Sequence, residues 1–237
     1  MGLTREDIRK IIIACRVAGE YGLRNGCKAS IQTLEVDFLT PPDDFLGVGG
    51  NPAIFVNSNT YRLLGRYHRS WKINETIAVK ESILDDNTMQ IIGILVHETG
   101  HAFNIAAGII NSEANAYIFE IEVITRWFKN GHSLLFNCSN IDIQTFFESR
   151  LPYYRAEIIK NDYLAKLVTL IEQKNILNDD IHLYELVIMN KARSSEFVVP
   201  ALQKEADKSS RFFHEPHSLL QSPDYKDTLC TSRKKSQ

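Results

Sequence analysis

Two histidines and a glutamate near the middle of the chain have the spacing of a metal-binding motif: His97, Glu98 and His101 in the pentapeptide HETGH. On a helix, residues four apart project from the same face, so both imidazoles can bind one metal ion. Zinc prefers tetrahedral nitrogen and oxygen donors, and a catalytic site leaves one position for water. Glu98 can accept a proton from that water instead of binding the metal. The motif therefore predicts one zinc ion held by His97 and His101, with Glu98 as the catalytic base.

The surroundings of the motif favour a functional interpretation over coincidence. The segment from about 89 to 107 is strongly apolar and predicts a helix that is buried around most of its circumference. Three ionisable side chains in such a helix are costly to bury unless a metal ion or polar partners compensate. Gly100 is unfavourable inside a helix, so we expect it to permit the close approach of another backbone or of a substrate.

A catalytic zinc needs a third protein ligand, and the next predicted helix offers three glutamates. This helix begins after Asn111 or Ser112. Glu113 and Glu120 are seven residues apart and share a face, so one could bind the metal while the other hydrogen-bonds a ligand histidine. Glu122 is the third glutamate. The residues themselves leave the choice open, and a short helical hairpin keeps Glu120 as the alternative to Glu113.

The motif and the segment after it resemble a known group of metallopeptidases. HETGH, preceded by a predicted strand and followed by SEANAY at 112–117, resembles the glutamate-zincin clan, and the Glu-Ala-Asn element is similar to the ImmA/IrrE-type minimal peptidases. The resemblance covers about residues 70–128 and implies that Glu113 is the third ligand. The longer metzincin pattern is not completed, because Asn104 and Ala107 stand at its key positions. The helical flank and polar C-terminal segment also resemble effector proteases that bacteria inject into host cells, which implies a host protein such as actin as the substrate.

Peptide hydrolysis also needs a group that stabilises the oxyanion of the tetrahedral intermediate. Tyr153, Tyr154 and His132 are the main candidates, and Arg155 and His182 are also available. A structural role is the commoner explanation for any one of them. The sequence therefore predicts a zinc-dependent endopeptidase that acts on a protein, with its oxyanion-stabilising residue still open.

The remaining patterns predict an α+β, mainly helical fold: a small β-sheet packed on the HExxH helix, and an α-helical C-terminal half. Strands are predicted at 31–39, 53–57 and 72–80, with 53–57 central and 72–80 at the edge where an extended substrate could be added. Helices are predicted at 143–148, 156–177 and 181–191, with a break at Pro152. Residues 1–150 are assigned to a zincin-like catalytic core, 151–207 to a helical extension of the same domain, and 208–237 to a mobile tail.

Composition excludes several other classes. A net charge of -2 argues against nucleic-acid binding. We therefore interpret the aromatic and basic residues between 61 and 71 as a solvated loop or the rim of a substrate groove. No stretch reaches the ~18 apolar residues of a membrane span, and the charged N-terminus does not resemble a signal peptide. Four scattered cysteines predict reduced thiols. We expect activity in a cytosol, that of a host cell if a bacterium secretes the protein without a signal peptide.

Two other functions stay open beside the peptidase. One is a regulatory module whose zinc site binds a partner without turnover, and the other is a zinc hydrolase of a non-peptide substrate. Loss of the Glu98 carboxylate should leave the first activity intact. The second would combine a water-bearing zinc with an absence of proteolysis.

Overall fold

The computed structural model describes residues 3–47 and 50–178, so the predicted helix at 181–191, the predicted tail and His182 lie outside the described residues. The fold is α+β and mainly helical, with one small sheet, as predicted. The helices are α1 Arg5–Tyr21, α2 Ser58–Leu64, α3 Thr88–Ala106, α4 Glu113–Lys129, α5 Asn140–Glu157 and α6 Asp162–Glu172, and the strands are β1 Glu35–Leu39, β2 Ala53–Phe55 and β3 Thr76–Lys80. Short 3-10 helices cover Glu81–Asp85, Ser133–Leu135 and Ile158–Lys160.

The three strands form a sheet in the order β1-β3-β2, with β1 parallel and β2 antiparallel to β3. The prediction that 53–57 is central was therefore wrong: β2 is an edge strand, and its ladder covers three residues. The prediction that 72–80 forms the open edge was also wrong, because β3 is paired on both sides. The apolar run in β2 is explained by burial against α3, which hides one face of the strand without giving it a second neighbour.

Local signals account for the helices that build the core. Helix α1 begins at a capping box in which Thr4 and Asp7 bond reciprocally. Its buried residues recur at helical spacing and pack towards α3. Helices α3 and α4 form a helical hairpin joined by a short turn, with Ser112 as the N-cap of α4. Both helices are buried over most of their length.

In the last part of the described chain, the helices begin and end at other residues than predicted. Helix α5 runs without interruption through Pro152, where a break was predicted. Pro152 is exposed, so the carbonyl that its missing N–H leaves free can bond water, while buried Phe147 and Tyr154 hold the helix on the core. Helix α6 begins at Asp162 instead of Ala156. Helix α2 was not predicted, although Asn57 caps it with its side chain.

Among the described residues, no helix is both long and apolar enough to cross a membrane. No disulfide bond joins the three cysteines in this part of the chain, Cys15, Cys27 and Cys138.

Candidate metal centre

The α3–α4 hairpin brings the motif and the glutamates of the second helix together. Gly100 lies directly against α4: a Cβ atom at this position would be 3.0 Å from the carbonyl oxygen of Ala116 and 3.1 Å from its Cα. Real Cβ atoms seldom lie so close to a backbone, so only glycine allows the two helices this separation. The prediction that Gly100 permits close approach of another backbone is confirmed.

Three side chains of the hairpin converge and could hold a metal ion: His97, His101 and Glu113, called here the metal-site cluster. One donor atom from each lies within 4.8 Å of the other two. Nε2 of His97 is 3.1 Å from Oε2 of Glu113, and Nε2 of His101 is 3.4 Å from Oε1. The two histidines are almost fully buried, whereas the Glu113 side chain is 51% exposed. The cluster is therefore open to solvent on the side of Glu113.

The outer nitrogens of the two histidines have separate partners. Nδ1 of His101 is 2.7 Å from Oδ1 of Asn111, so an Nδ1–H can donate to that oxygen. Nδ1 of His97 is 3.1 Å from Oε2 of Glu120, although this contact is not aligned as a good hydrogen bond. In the neutral His101 ring, donation through Nδ1 leaves the lone pair on Nε2, as in most histidines that bind metals. Both Nε2 atoms then face the same side as Glu113.

Glu120 belongs to a second cluster behind His97, the buried network of Glu120, Arg150 and Tyr154. The Glu120 side chain is fully buried and accepts hydrogen bonds from Arg150 Nε at 3.1 Å and Nη2 at 2.9 Å. The Tyr154 hydroxyl donates to its Oε1 at 2.7 Å. Because Glu120 meets His97 at Nδ1, on the side away from Glu113, it does not join the metal-site cluster. Its position is that of a group that orients a ligand histidine.

Glu98 lies beside the cluster and is held by the sheet. Its Oε2 accepts a hydrogen bond from the backbone N–H of Phe55 at 2.7 Å. Burial raises the pKa of the Glu98 carboxyl, although His97, His101 and the Phe55 N–H oppose the shift. A general base works best when its pKa is close to the working pH. The environment therefore moves Glu98 towards the range that proton transfer requires.

The charges of the metal-site cluster are strongly coupled. Burial by itself would lower the pKa of His97, but its contacts with Glu113 and Glu120 outweigh burial and raise the pKa to about 9. The pKa of His101 is raised in the same way, against the effect of burial, chiefly by Glu113. Hydrogen bonds from His101 and His97 hold the pKa of Glu113 well below its usual range. Without a metal, protons therefore occupy the nitrogens that a metal would need.

A cleft of about 610 Å³ opens over these residues. Its floor is the metal-site cluster with Glu98, one wall is β2 with the segment before it, and the other wall comes from α4 and α5. The lining residues are Gly50, Asn51, Pro52, Ala53, Ile54, Phe55, Asn57, Thr60, Ile94, His97, Glu98, His101, Glu113, Tyr117, Arg150 and Tyr153.

Alternation along β2 decides which backbone groups face the cleft. Pro52 and Val56 bond to β3 through their backbones. The residues between them at odd positions, Ala53 and Phe55, therefore point their N–H and C=O groups away from β3. The Phe55 N–H is taken by Glu98 and its carbonyl accepts from Asn57. Ala53 is the position of β2 where a further strand could be added.

The predicted oxyanion stabilisers are placed very differently. Tyr153 is 57% exposed and lines the cleft. Tyr154 is fully buried, and its hydroxyl is used by Glu120. His132 is outside the cleft, where it stacks on Trp127 and caps a short 3-10 helix. Arg155 is bound to Glu172 on the surface. The structure brings only Tyr153 of these four to the cleft.

Several residues of the site were not predicted. Tyr117 lies one helical turn after Glu113, lines the cleft, and packs its ring 4.7 Å from that of His97. The spacing of four from Glu113 was a signal that could have revealed it. Asn111 and Arg150 had no such signal, because their roles depend on contacts with His101 and Glu120 that form only in the tertiary structure.

No protein-family model matches the chain, and comparisons with curated proteins and with solved structures also found no match.

Proposed function

We propose that this chain is a zinc-dependent peptidase that hydrolyses peptide bonds of a protein substrate. The observation that carries the proposal is the convergence of His97, His101 and Glu113 on the floor of an open cleft, with the Glu98 carboxylate beside them. A structural polar cluster is normally closed and satisfied by its neighbours. This cluster instead directs its donors to a space that solvent and a substrate can reach.

The donor set fits zinc. Two imidazole nitrogens and one carboxylate are a known catalytic combination, and donors of a tetrahedral zinc with bonds of ~2.0–2.1 Å are about 3.3 Å apart. The observed 3.1 and 3.4 Å separations agree with that spacing. The same distances also fit direct ion pairs between protonated histidines and Glu113. Metal binding and histidine protonation compete for the same nitrogens, so a zinc titration separates the two explanations.

In this mechanism zinc, when bound, would supply Lewis acidity, which lowers the pKa of water and polarises a carbonyl. Glu98 accepts a proton from water in the cleft and delivers it to the leaving amine. The Phe55 N–H fixes the Glu98 carboxylate through one oxygen, so the other oxygen is free for proton transfer. Tyr153 and Tyr117, which line the cleft without hydrogen-bonding to any residue in the described ranges, are the hydroxyl groups available to the oxyanion.

The substrate would bind as an extended segment along β2. Ala53 offers one N–H and one C=O to such a segment, and the wall opposite is formed by the side chains of Tyr117 and Tyr153. A short docking edge supplies few backbone bonds, so side-chain contacts must contribute much of the selectivity. Cleavage is expected in exposed or flexible segments of a protein. The likeness to injected effector proteases makes actin the first protein to test and a cytosol the place of action.

Glu98→Gln tests the proposal directly, because it keeps the shape of the side chain and removes its basicity. We expect the variant to retain one zinc per chain and to lose cleavage by about 100- to 10,000-fold. Zinc would be counted by elemental analysis, and cleavage of actin and of denatured protein mixtures would be followed by mass spectrometry. Glu6→Gln, at an exposed position of α1, is the matched control and should behave like the unaltered chain.

The same pair of measurements separates the alternatives. Equal partner binding by both chains without cleavage would favour a regulatory zinc module. A water-bearing zinc without proteolysis, together with Glu98-dependent hydrolysis of small esters or amides, would favour a non-peptide hydrolase. If neither chain binds zinc, the proposal is wrong and the three side chains are a polar cluster of the protein core.

A further inference from the structure

The guanidinium group of Arg150 is the one fixed positive charge among the described residues that line the cleft. The other charged groups there are carboxylates or the histidines of the metal-site cluster. Arg150 comes from α5, so it lies on the wall opposite the substrate-docking edge of β2. Its side chain is 17% exposed, which places most of it in the wall and a small part in the cleft.

Only part of this guanidinium is used by the protein. Nε and Nη2 bond side-on to the buried Glu120 carboxylate. A guanidinium has five N–H donors in one plane, so three donors remain, two of them on Nη1. Arg150 makes no hydrogen bond through Nη1 to any residue in 3–47 or 50–178. Because Glu120 occupies the Nε/Nη2 edge of the plane, the free donors lie on the Nη1/Nη2 edge.

Two tyrosines hold this group in position without satisfying its donors. Cζ of Arg150 is 5.4 Å from the ring centre of Tyr153 and 5.7 Å from that of Tyr117. Such cation–π contacts involve the flat faces of the rings and leave the in-plane N–H groups free. Both tyrosines line the cleft with Ile94. The Arg150 guanidinium is therefore held in one orientation and partly desolvated in the wall of the cleft.

We propose that Arg150, Tyr117 and Tyr153 form a subsite that binds a carboxylate of the substrate, a specificity that rests on the peptidase function proposed above. A carboxylate matches the free edge of a guanidinium because both are planar and each can supply two parallel partners. Glu120 already neutralises the arginine, so recognition comes from directed hydrogen bonds more than from net charge. The carboxylate can belong to an Asp or Glu side chain or to the C-terminus of the substrate.

Peptide binding to the Glu98→Gln chain, loaded with zinc, tests the subsite independently of turnover. One arm uses amidated Ala/Ser-based peptides in which a single Glu or Gln is moved along the sequence. The other arm uses peptides without acidic side chains that end in either a free carboxylate or an amide. We expect one carboxylate to improve affinity by about 10-fold or more, because hydrogen bonds between charged groups are stronger than those between neutral groups. Preference in the first arm indicates an endopeptidase that selects acidic residues, and preference in the second indicates a carboxypeptidase.

Variants identify the residue responsible. Arg150→Lys keeps a positive charge beside Glu120 but loses the planar fork, so the preference for the carboxylate should fall to about 3-fold or less. Arg155→Lys, on the same helix but bound to Glu172 at the surface, should leave the preference unchanged. Equal binding of all matched peptides, no binding in any arm, or an unchanged preference in Arg150→Lys would overturn the subsite. None of these results depends on whether the unaltered chain cleaves peptides.

Discussion

The hairpin of α3 and α4 carries two polar clusters that differ in how completely their polar atoms are buried and hydrogen-bonded. In the buried network, Glu120 is fully enclosed and is satisfied by Arg150 and Tyr154. In the metal-site cluster, Glu113 is half exposed, and it meets two histidines whose Nε2 atoms have no other partner among residues 3–47 and 50–178. Glutamates seven residues apart on one helix thus have opposite surroundings. The buried network is suited to orient His97, and the metal-site cluster is suited to bind a ligand.

Replacing the open carboxylate should have the largest effect on the metal. Glu113→Gln removes the charge of the third donor, and we expect zinc affinity to fall by more than about 100-fold, beyond the usual cost of losing an outer partner. The fold should be retained because the side chain is half exposed. Competition with a chromophoric chelator measures the affinity. An unchanged affinity would mean that Glu113 is not a ligand and that the two clusters do not differ as argued.

Replacing the closed carboxylate should affect both the metal and the fold. Glu120→Gln leaves Arg150 as an uncompensated charge in the core, which costs about 3–5 kcal/mol in the free energy of unfolding. It also weakens the orientation of His97, so zinc affinity should fall by about 10- to 100-fold, less than for Glu113→Gln. Urea unfolding and the same chelator assay give the two values. A greater loss of zinc than in Glu113→Gln would make Glu120 the ligand.

The common frame of both clusters can be tested at Gly100. Gly100→Ala places a methyl group against the backbone of Ala116, and neither backbone can move without separating α3 from α4. We expect a loss of about 1–3 kcal/mol in the free energy of unfolding. Helix propensity alone predicts the opposite sign, a gain of about 1 kcal/mol for Ala over Gly. The sign of the change, measured by thermal or urea unfolding, therefore shows whether contact with Ala116 or helix propensity dominates at this position.

The second buried glutamate of α4, Glu122, provides the matched control for Glu120. It accepts hydrogen bonds from the Arg24 N–H and the Tyr163 hydroxyl, and burial raises its pKa. A raised folded-state pKa means that this group stabilises the fold below its unfolded pKa and loses that contribution as the pH rises through the folded pKa. Glu122→Gln should therefore be within about 1 kcal/mol of the unaltered chain at neutral pH and become relatively less stable as the solution is acidified towards pH ~4.

Unfolding curves at several pH values measure this trend. Zinc affinity should not change in Glu122→Gln, because this carboxylate bonds to Arg24 in the turn after α1 and to Tyr163 of α6, and it does not line the cleft. A stability loss as large as that of Glu120→Gln would show that burial, and not pairing with Arg150, governs both positions.

The parts of this molecule that sequence reasoning predicted are those with local signals. The HExxH spacing and the start of α4 at the Ser112 cap both depend on residues within one or two helical turns. The sheet order was missed because it depends on pairing between segments that are far apart in sequence: β3 lies between β1 and β2 although it follows both. The break predicted at Pro152 was wrong for a related reason: tertiary packing of α5 outweighs the local preference of proline to interrupt a helix.

The candidate site divides in the same way. His97, Glu98 and His101 could be selected from the sequence, and Glu113 and Glu120 could be named as a pair but not assigned from spacing alone. Their assignment needs the side of His97 that each one meets, which the hairpin geometry decides. Arg150 is 30 residues from Glu120, and no periodic pattern links them. Tyr117 was within reach of helical spacing from Glu113.

Zinc-edge X-ray absorption of the zinc-loaded chain reports the donors around the metal itself and so tests whether His97 and His101 bind zinc. We expect one zinc per chain with two imidazoles and oxygen donors at ~2.0–2.2 Å, and loss of the imidazole signal when His97 and His101 are both replaced by alanine. Zinc bound in less than stoichiometric amounts, or a shell of oxygen donors without imidazole, would contradict it.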